Sequence, residues 1–332
     1  MLTVLIVLTI AIAGGLLYLS RLPKDYEVRR SLNMHADRQA VFDRVRDFRS
    51  WGDWSPWLLH EPDAKRAFST AEDLPGGSYT WDGCAIGAGR LTHVRFDAPG
   101  RIEQRLEIQR PFKSDSDVWW EFAETDGGTE VAWCLRGSLP FLLRPMIPLV
   151  RQMIGKDFEL GLALLRGQLD PDAPRPELRF EGETNLQPQS ALVIPFSGGM
   201  DAMVQAMEDG YPRLAGHLAS LGIAPAGPPF SAYHKVNVKK NRFECDMAIP
   251  VPADAAAGPF ARKDFSGGRH YRVTLTGGYD YLELAWYAAV AHARMLKLKL
   301  DKHRPMLEVY ENDPSSAASP KELRTALYLP LR

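Results

Sequence analysis

The chain has 332 residues and a formal net charge of −1 at pH 7. This length favours two domains, and the near-neutral charge excludes a general attraction to nucleic acids or acidic surfaces. The three cysteines are Cys84, Cys134 and Cys245. Because they are odd in number, far apart and without a C-x-x-C pair, neither a zinc site nor a disulfide framework is predicted. We therefore expect no metal and no cofactor.

The first predicted element is an uncharged run over residues 2–20. Nineteen residues in a helix span about 28 Å, close to the hydrocarbon thickness of a bilayer. We therefore expect residues 1–24 to form a single-pass N-terminal transmembrane anchor. A signal peptide is the alternative, because Ala11-Ile12-Ala13 fits a cleavage site. However, no charged side chain precedes the run, and a further apolar stretch follows it.

The charges on either side of this run predict its orientation. Only the α-amino group is positive before it, whereas four basic residues follow it: Arg21, Lys24, Arg29 and Arg30. The positive-inside tendency would keep the flank with these residues in the cytoplasm. The sequence thus predicts a membrane localisation, with the remaining domains on the cytoplasmic side.

Residues 25–169 have the pattern of an α+β domain. A strand over residues 26–33 precedes a helix that starts at Ala36-Asp37-Arg38 and carries an apolar stripe. Turn signals then separate five strand-like runs, which is typical of an antiparallel meander. These runs are residues 77–82, 89–96, 101–109, 118–123 and 129–137. A long helix closes the domain, with apolar residues at helical spacing from Ile147 to Leu165.

This order of elements resembles the SRPBCC, or START-like, helix-grip family, and within it the polyketide cyclase/dehydrase branch. The residues that carry the likeness are 40–57, 87–90 and 157–162. The resemblance implies a sheet curled around a long helix, an apolar cavity, and no universal catalytic residue. Trp51, Trp54 and Trp57 repeat every third position and would form either the core or a wall at the cavity mouth; we favour the core.

A proline-rich linker is predicted next, over residues 170–177. Pro171, Pro174 and Pro176 lie within this short stretch. Prolines at this density favour an extended spacer without a core of its own. We therefore place the start of a second domain at residue 178.

Residues 178–332 contain an internal repeat. Three landmarks recur in the same order at offsets of 79, 77 and 80 residues (277 − 198, 310 − 233 and 330 − 250). They are a Gly-Gly turn, a strand that ends in tyrosine, and a strand with a proline near its end. The repeat predicts a duplicated β-α-β-β unit whose two halves leave a cleft between them.

The second domain resembles the GyrI-like family, which is also the effector-binding domain of AraC-type regulators. The residues that carry the likeness are 308–314 (Glu-Val-Tyr-Glu-Asn-Asp-Pro), 323–330 (Leu-Arg-Thr-Ala-Leu-Tyr-Leu-Pro) and the turn at Gly277-Gly278-Tyr279. The resemblance implies a pocket between the repeats, often with a carboxylate and tyrosines that receive cationic or amphipathic molecules. This chain departs from the pattern at Ala326, where the family commonly has a glutamate.

Six residues of the second domain are candidate ligand-binding residues. Glu308, Tyr310 and Tyr328 match the family pattern, and a carboxylate between tyrosines suits a cation. The repeat makes Tyr233 the equivalent of Tyr310 and Asp246 the equivalent of Ala326, so that Asp246 could replace the missing acid. Trp286 would line either the pocket floor or the core. The alternative for Glu308 is a solvated outward face.

The function predicted from these features is non-catalytic: a membrane-anchored protein that binds or senses small hydrophobic or cationic amphipathic ligands. One alternative is a hydrolase or cyclase with Glu308 as general base. A second is a gyrase-inhibitor-like regulator with an unknown protein partner. Direct nucleic-acid binding is not expected, because the sequence shows no helix-turn-helix and no strongly basic domain. It also lacks H-E-x-x-H and G-x-S-x-G motifs.

Overall fold

A computed structural model describes residues 2–170, 173, 175–312 and 317–332. The chain divides into two compact units, Met1–Arg175 and Pro176–Arg332. Both units are α+β, and each contains one antiparallel sheet. Several residues of the predicted linker and the Asp-Pro end of the 308–314 motif lie outside the described residues.

Helix α1 covers Leu2–Arg21. Over the part of the chain that the structure describes, no helix combines the length and the apolarity needed to cross a membrane. The prediction of a single-pass transmembrane anchor, and of the membrane localisation that depended on it, is therefore corrected.

The first unit is a seven-stranded antiparallel sheet with three further helices. Its strand order is β1-β7-β6-β5-β4-β3-β2. The strands are β1 Asp25–Met34, β2 Lys65–Phe68, β3 Ser78–Asp82, β4 Ala88–Asp97, β5 Arg101–Arg110, β6 Ser114–Thr125 and β7 Gly128–Ser138. The helices are α2 Arg38–Arg46, α3 Pro56–His60 and α4 Ile147–Leu169. The long helix α4 packs on β1, β7 and α3, as in a helix grip.

Local sequence determines where these helices begin. Asp37 caps α2, because its carboxylate accepts a hydrogen bond from the Ala40 N–H at 3.0 Å. A proline also lies in the first turn of α3 and of α4, where its missing N–H costs no helical hydrogen bond. The turn before β4 needs a glycine, since Gly87 has a φ of +72° and a Cβ there would lie 2.3 Å from the Arg110 carbonyl oxygen.

Tryptophans fill the interior of the first unit. Trp51, Trp54, Trp120 and Trp133 are all buried. Trp133 stacks on Trp120 and on Phe158 of α4, with ring centroids 4.2 Å apart in both pairs. Trp51 and Trp54 are therefore part of the core, because large aromatic surfaces gain most when they pack against one another.

The second unit contains an eight-stranded antiparallel sheet with the strand order β12-β9-β11-β10-β14-β15-β13-β8. Strands that are equivalent in the two halves of the repeat lie at equal distances from the centre of the sheet. The strands are β8 Glu177–Leu186, β9 Gln189–Gly198, β10 Phe230–Asn237, β11 Arg242–Val251, β12 Ala261–Phe265, β13 Gly268–Thr276, β14 Met306–Tyr310 and β15 Arg324–Pro330. The helices are α5 Met200–Ser220 and α6 Leu282–Met295. Each half thus contributes two strands, a helix and two further strands, one strand more than the predicted β-α-β-β unit, and β10 and β14 meet at the centre.

The two faces of this sheet have different cores. Helix α5 packs on β9 and β11, and α6 packs on β13 and β15. On this helix face, Met203 of α5 packs with Tyr233, Phe243 and Cys245. The opposite face carries a separate cluster that contains no helical residue, and Tyr328 belongs to it. Successive residues of a strand therefore alternate between the two cores.

Candidate functional site

The candidate site lies at the centre of the second unit, where β10 and β14 pair. Ser231 and Glu308 are direct partners in this pairing. Tyr233 and Tyr310 lie two residues further along their own strands, so they point to the same helix face as Ser231 and Glu308. The repeat thus brings two equivalent tyrosines to one carboxylate.

Three donors surround the carboxylate of Glu308. Its Oε1 accepts a hydrogen bond from Tyr310 Oη at 2.7 Å and a longer one from Tyr233 Oη at 3.3 Å. Its Oε2 accepts a hydrogen bond from Trp286 Nε1 at 2.6 Å. The donors come from β14, β10 and α6, so both halves of the repeat hold the same acid.

Glu308 is buried without a positive partner. It is 3% exposed, and burial raises its pKa, while the hydrogen bonds from Tyr310, Trp286 and Tyr233 oppose that rise. Among the described residues, no ion pair involves Glu308. A carboxylate in such a place costs several kcal/mol when ionised and unpaired, and a cation would offset that cost.

A chain of hydroxyl groups extends from Glu308 to α5. Ser231 Oγ lies 3.0 Å from Tyr310 Oη and 2.9 Å from Tyr211 Oη. Burial raises the pKa values of Tyr211, Tyr233 and Tyr310, the last two well above the ordinary value for tyrosine. These phenols therefore stay neutral and act as hydrogen-bond donors.

We call the side chains of Tyr211, Ser231, Tyr233, Trp286 and Tyr310 around this acid the Glu308 cage. Its aromatic rings meet edge to face: Tyr211 and Tyr310 at 5.6 Å, and Tyr233 and Trp286 at 6.1 Å between centroids. Aromatic faces around a carboxylate form the surroundings that an organic cation prefers.

Two side chains extend the rim of the Glu308 cage. The ring of Tyr279 lies 5.7 Å from that of Tyr310 and is 37% exposed. The sulfur of Met207 on α5 lies 3.9 Å from Tyr310 Oη. Together with the half-buried Trp286, they separate Glu308 from solvent. A ligand that reaches the acid must therefore move part of this rim.

The structure brings together four of the six predicted residues and separates two. Glu308, Tyr310, Tyr233 and Trp286 are in mutual contact. Tyr328 lies on the opposite face of the sheet, where its neighbour in the pairing is Leu307 rather than Glu308. Its ring is covered by the Arg272 guanidinium at 5.7 Å.

Asp246 is also remote from Glu308. It is buried, and its carboxylate forms an ion pair with Lys263 and a hydrogen bond with His234 Nε2, each with a shortest N–O distance of 2.7 Å. Asp246 is paired in the sheet with Ala232, whose neighbour Ser231 points to the helix face, so its own side chain lies with the opposite core. Lys263 thus gives Asp246 its own countercharge, apart from the Glu308 cage.

Four residues near the acid were missing from the sequence-based set: Tyr211, Ser231, Met207 and Tyr279. The repeat offset carried a signal for two of them. Met207 is the equivalent of Trp286 (286 − 207 = 79), and Ser231 is the equivalent of Glu308 (308 − 231 = 77). Tyr211 could not be found in this way, because it lies in helix α5 and belongs to no sequence motif or repeat landmark.

Within the described ranges, no three His, Cys, Asp or Glu side chains are arranged to hold a metal ion. The polar groups at the candidate site are one carboxylate, hydroxyls and an indole N–H. This set suits an organic ligand.

Comparison with known proteins agrees with this domain arrangement. Residues 26–170 match the family described as polyketide cyclase / dehydrase and lipid transport, and residues 184–332 match the GyrI-like small molecule binding domain. The two matches follow one another along the chain, and each falls within one of the two compact units. The chain carries an SRPBCC-like domain followed by a GyrI-like domain, which confirms the sequence resemblance.

No curated protein matches the chain significantly. Protein CV1439 from Chromobacterium violaceum has 14% identity and a TM-score of 0.35, over 44% of this chain and 98% of its own. SAV2435 bound to tetraphenylphosphonium has 8% identity and a TM-score of 0.36, over 47% and 94%. EcmrR in a DNA complex has 12% identity and a TM-score of 0.41, over 59% and 72%. These values are low, so the likenesses carry no weight in the functional argument.

Proposed function

We propose that the second unit binds small aromatic or amphipathic cations, with Glu308 as the countercharge. The observation that supports this most is a buried carboxylate that receives three neutral donors and no ion pair from the described residues. An organic cation would supply the missing charge, and the surrounding rings would add cation–π attraction. Binding of a hydrophobic cation therefore relieves a cost that the ligand-free fold carries.

The route to Glu308 passes the rim of the Glu308 cage. Trp286 is half-buried and donates through the tip of its side chain to Oε2. A rotation of this side chain would release one carboxylate oxygen while both tyrosines still donate to the other. We therefore propose that a cation replaces the indole at Oε2 and keeps the tyrosine contacts at Oε1.

We further propose that this protein acts by binding and not by turnover. The Glu308 cage combines a single acid with neutral phenols whose pKa values are raised. The interior of the first unit is filled by stacked tryptophans, which favours the second unit as the place where ligand binding is centred.

The affinity for a permanent cation is expected to rise with pH. Because burial raises the pKa of Glu308, the acid is protonated at pH values where an exposed glutamate is already ionised. Below that raised pKa a cation must displace a proton, so its affinity should fall about tenfold per pH unit. Titration calorimetry with N-methylphenanthridinium from pH 4 to pH 8 measures this dependence.

The neutral hydrocarbon phenanthrene has the same ring framework and serves as the control. Its affinity should be independent of pH and lower than that of the cation above the raised pKa. Equal affinities for the two compounds at pH 8 would contradict the proposed role of Glu308.

A further inference from the structure

Each hydroxyl group in the Glu308 cage has a single proton to donate. When Glu308 is ionised it only accepts, so Tyr310 gives its proton to Oε1 at 2.7 Å. The oxygen of Tyr310 must then accept at its other contact, which is Ser231 Oγ at 3.0 Å. Ser231 is therefore the donor in that hydrogen bond.

The same reasoning extends to helix α5. Since Ser231 has used its proton, its oxygen accepts from Tyr211 Oη at 2.9 Å. The chain thus runs in one direction, from Tyr211 to Ser231, to Tyr310 and to Glu308. Each donor strengthens the next, because hydrogen bonds in series polarise one another.

Ser231 occupies the position in the first repeat that Glu308 occupies in the second. It is also the direct partner of Glu308 in the sheet, and it is 0% exposed. A second carboxylate at this position would lie against the first and repel it. A hydroxyl instead adds a donor for Tyr310 and leaves a single charge at the centre of the sheet.

We propose that Ser231 is a positioning residue of the cation site, because its hydroxyl holds Tyr310 in the orientation that donates to Glu308 and so favours the ionised acid. This inference rests on the proposed function, since it assigns to Ser231 the control of the acid that would bind the cation. Ser231 acts through Tyr310, without contact to the ligand.

The titratable groups around Glu308 are neutral side chains, so among the described residues no second charge faces the acid. The titratable groups that face it are Tyr211 on α5, Tyr233 on β10, Cys245 on β11 and Tyr310 on β14. Burial raises the pKa of Cys245 to about 12, so its thiol is neutral at pH 7. Helix α6 contributes the indole of Trp286. Burial therefore raises the pKa of Glu308, and the hydrogen bonds from Tyr310, Trp286 and Tyr233 limit that rise.

The test is the titration of the Glu308 carboxyl carbon, followed by NMR in the ligand-free full-length protein. In Ser231→Ala its midpoint should move to higher pH by roughly 0.1 to 0.7 unit, since a neighbouring bond strengthens a hydrogen bond to a charged group by roughly 10–30%. Ser231→Thr keeps the hydroxyl and should restore the original midpoint. Tyr211→Phe removes only the far end of the chain and should move the midpoint in the same direction by less.

Calorimetry with N-methylphenanthridinium then separates this inference from the proposed function. If Ser231 is a positioning residue, the pH at which half of the affinity is lost moves with the carboxyl midpoint. An unchanged midpoint in both Ser231→Ala and Tyr211→Phe would overturn the inference, even with normal cation binding. A shifted midpoint without any cation binding would support the hydrogen-bond chain and overturn the proposed function.

Discussion

Glu308→Gln is expected to lower the affinity for N-methylphenanthridinium at pH 8 by on the order of 100-fold, because the loss of one partner of a buried charge pair costs roughly 2–5 kcal/mol. The amide fits the same hydrogen bonds. Its oxygen accepts from Trp286 Nε1, and its two N–H bonds point to the oxygens of Tyr233 and Tyr310, whose hydroxyls turn to accept. The ring of the cation is still held, but its charge is not.

The same variant should be more stable than the wild type at neutral pH. A folded-state pKa that is raised by burial stabilises the fold below the ordinary glutamate pKa, and this stability is lost as the pH rises through the raised value. The neutral amide avoids that loss, so the gain in Glu308→Gln should grow with pH. Urea unfolding at pH 5 and at pH 8 measures the difference.

Glu311→Gln is the matched control. Glu311 follows Tyr310 in the chain, and its carboxylate pairs with Arg272 at 2.6 Å and Arg324 at 3.2 Å. Its loss removes one negative charge close to the Glu308 cage without changing the cage. Equal losses of cation affinity in the two variants would show that net charge, and not the buried acid, attracts the ligand.

Trp133→Ala should destabilise the first unit by about 3–5 kcal/mol, the usual cost of removing a large buried aromatic side chain. Trp133 is 1% exposed and stacks on both Trp120 and Phe158. Its removal breaks the aromatic stack between β7 and Phe158 of helix α4. Hydrogen exchange of the amides in β6, β7 and α4 measures the loss for this unit alone.

Trp119→Ala is the comparison for this prediction. Trp119 is the half-buried neighbour of Trp120, and its ring contacts the guanidinium groups of Arg101 and Arg136 on the other side of the sheet. Its replacement should cost about 1 kcal/mol. Similar costs for Trp119 and Trp133 would mean that the stacked tryptophans are not the main core of the first unit.

The sequence predicted the order of the helices and of most strands, but not strands β2, β8 and β12. The alternation of residues in β14 correctly places Glu308 and Tyr310 on one face, since the side-chain period of a strand is two. The same alternation groups Ala326 with Tyr328 in β15. The alternation alone does not show whether Ala326 and Tyr328 lie on the same face of the sheet as Glu308 or on the opposite face.

Register decided the position of Tyr328. Leu307 pairs with Tyr328 and Glu308 pairs with Leu327, so Tyr328 lies with Leu307 on the face away from the helices. A shift of one residue would have moved Tyr328 to the face of Glu308. No local motif fixes this choice, because it depends on contacts between segments that are distant in sequence.

The sequence also predicted a cleft between the two repeats, lined by residues around Glu308. The residues predicted to line it, Tyr233, Trp286 and Tyr310, instead donate to Glu308 and close over it. A motif indicates which residue types meet, but their packing follows from the rotamers available once helices and sheet have docked. Tyr211 could not be predicted for the same reason.

A crystal structure of the protein grown with N-methylphenanthridinium at pH 8 would test the central claim most directly. We expect the ring within the Glu308 cage, its charged nitrogen next to Glu308 Oε2, and the indole of Trp286 turned away from the acid. A ligand bound on the opposite face near Tyr328, or an unchanged hydrogen bond between Trp286 and Glu308 beside a bound ligand, would contradict it.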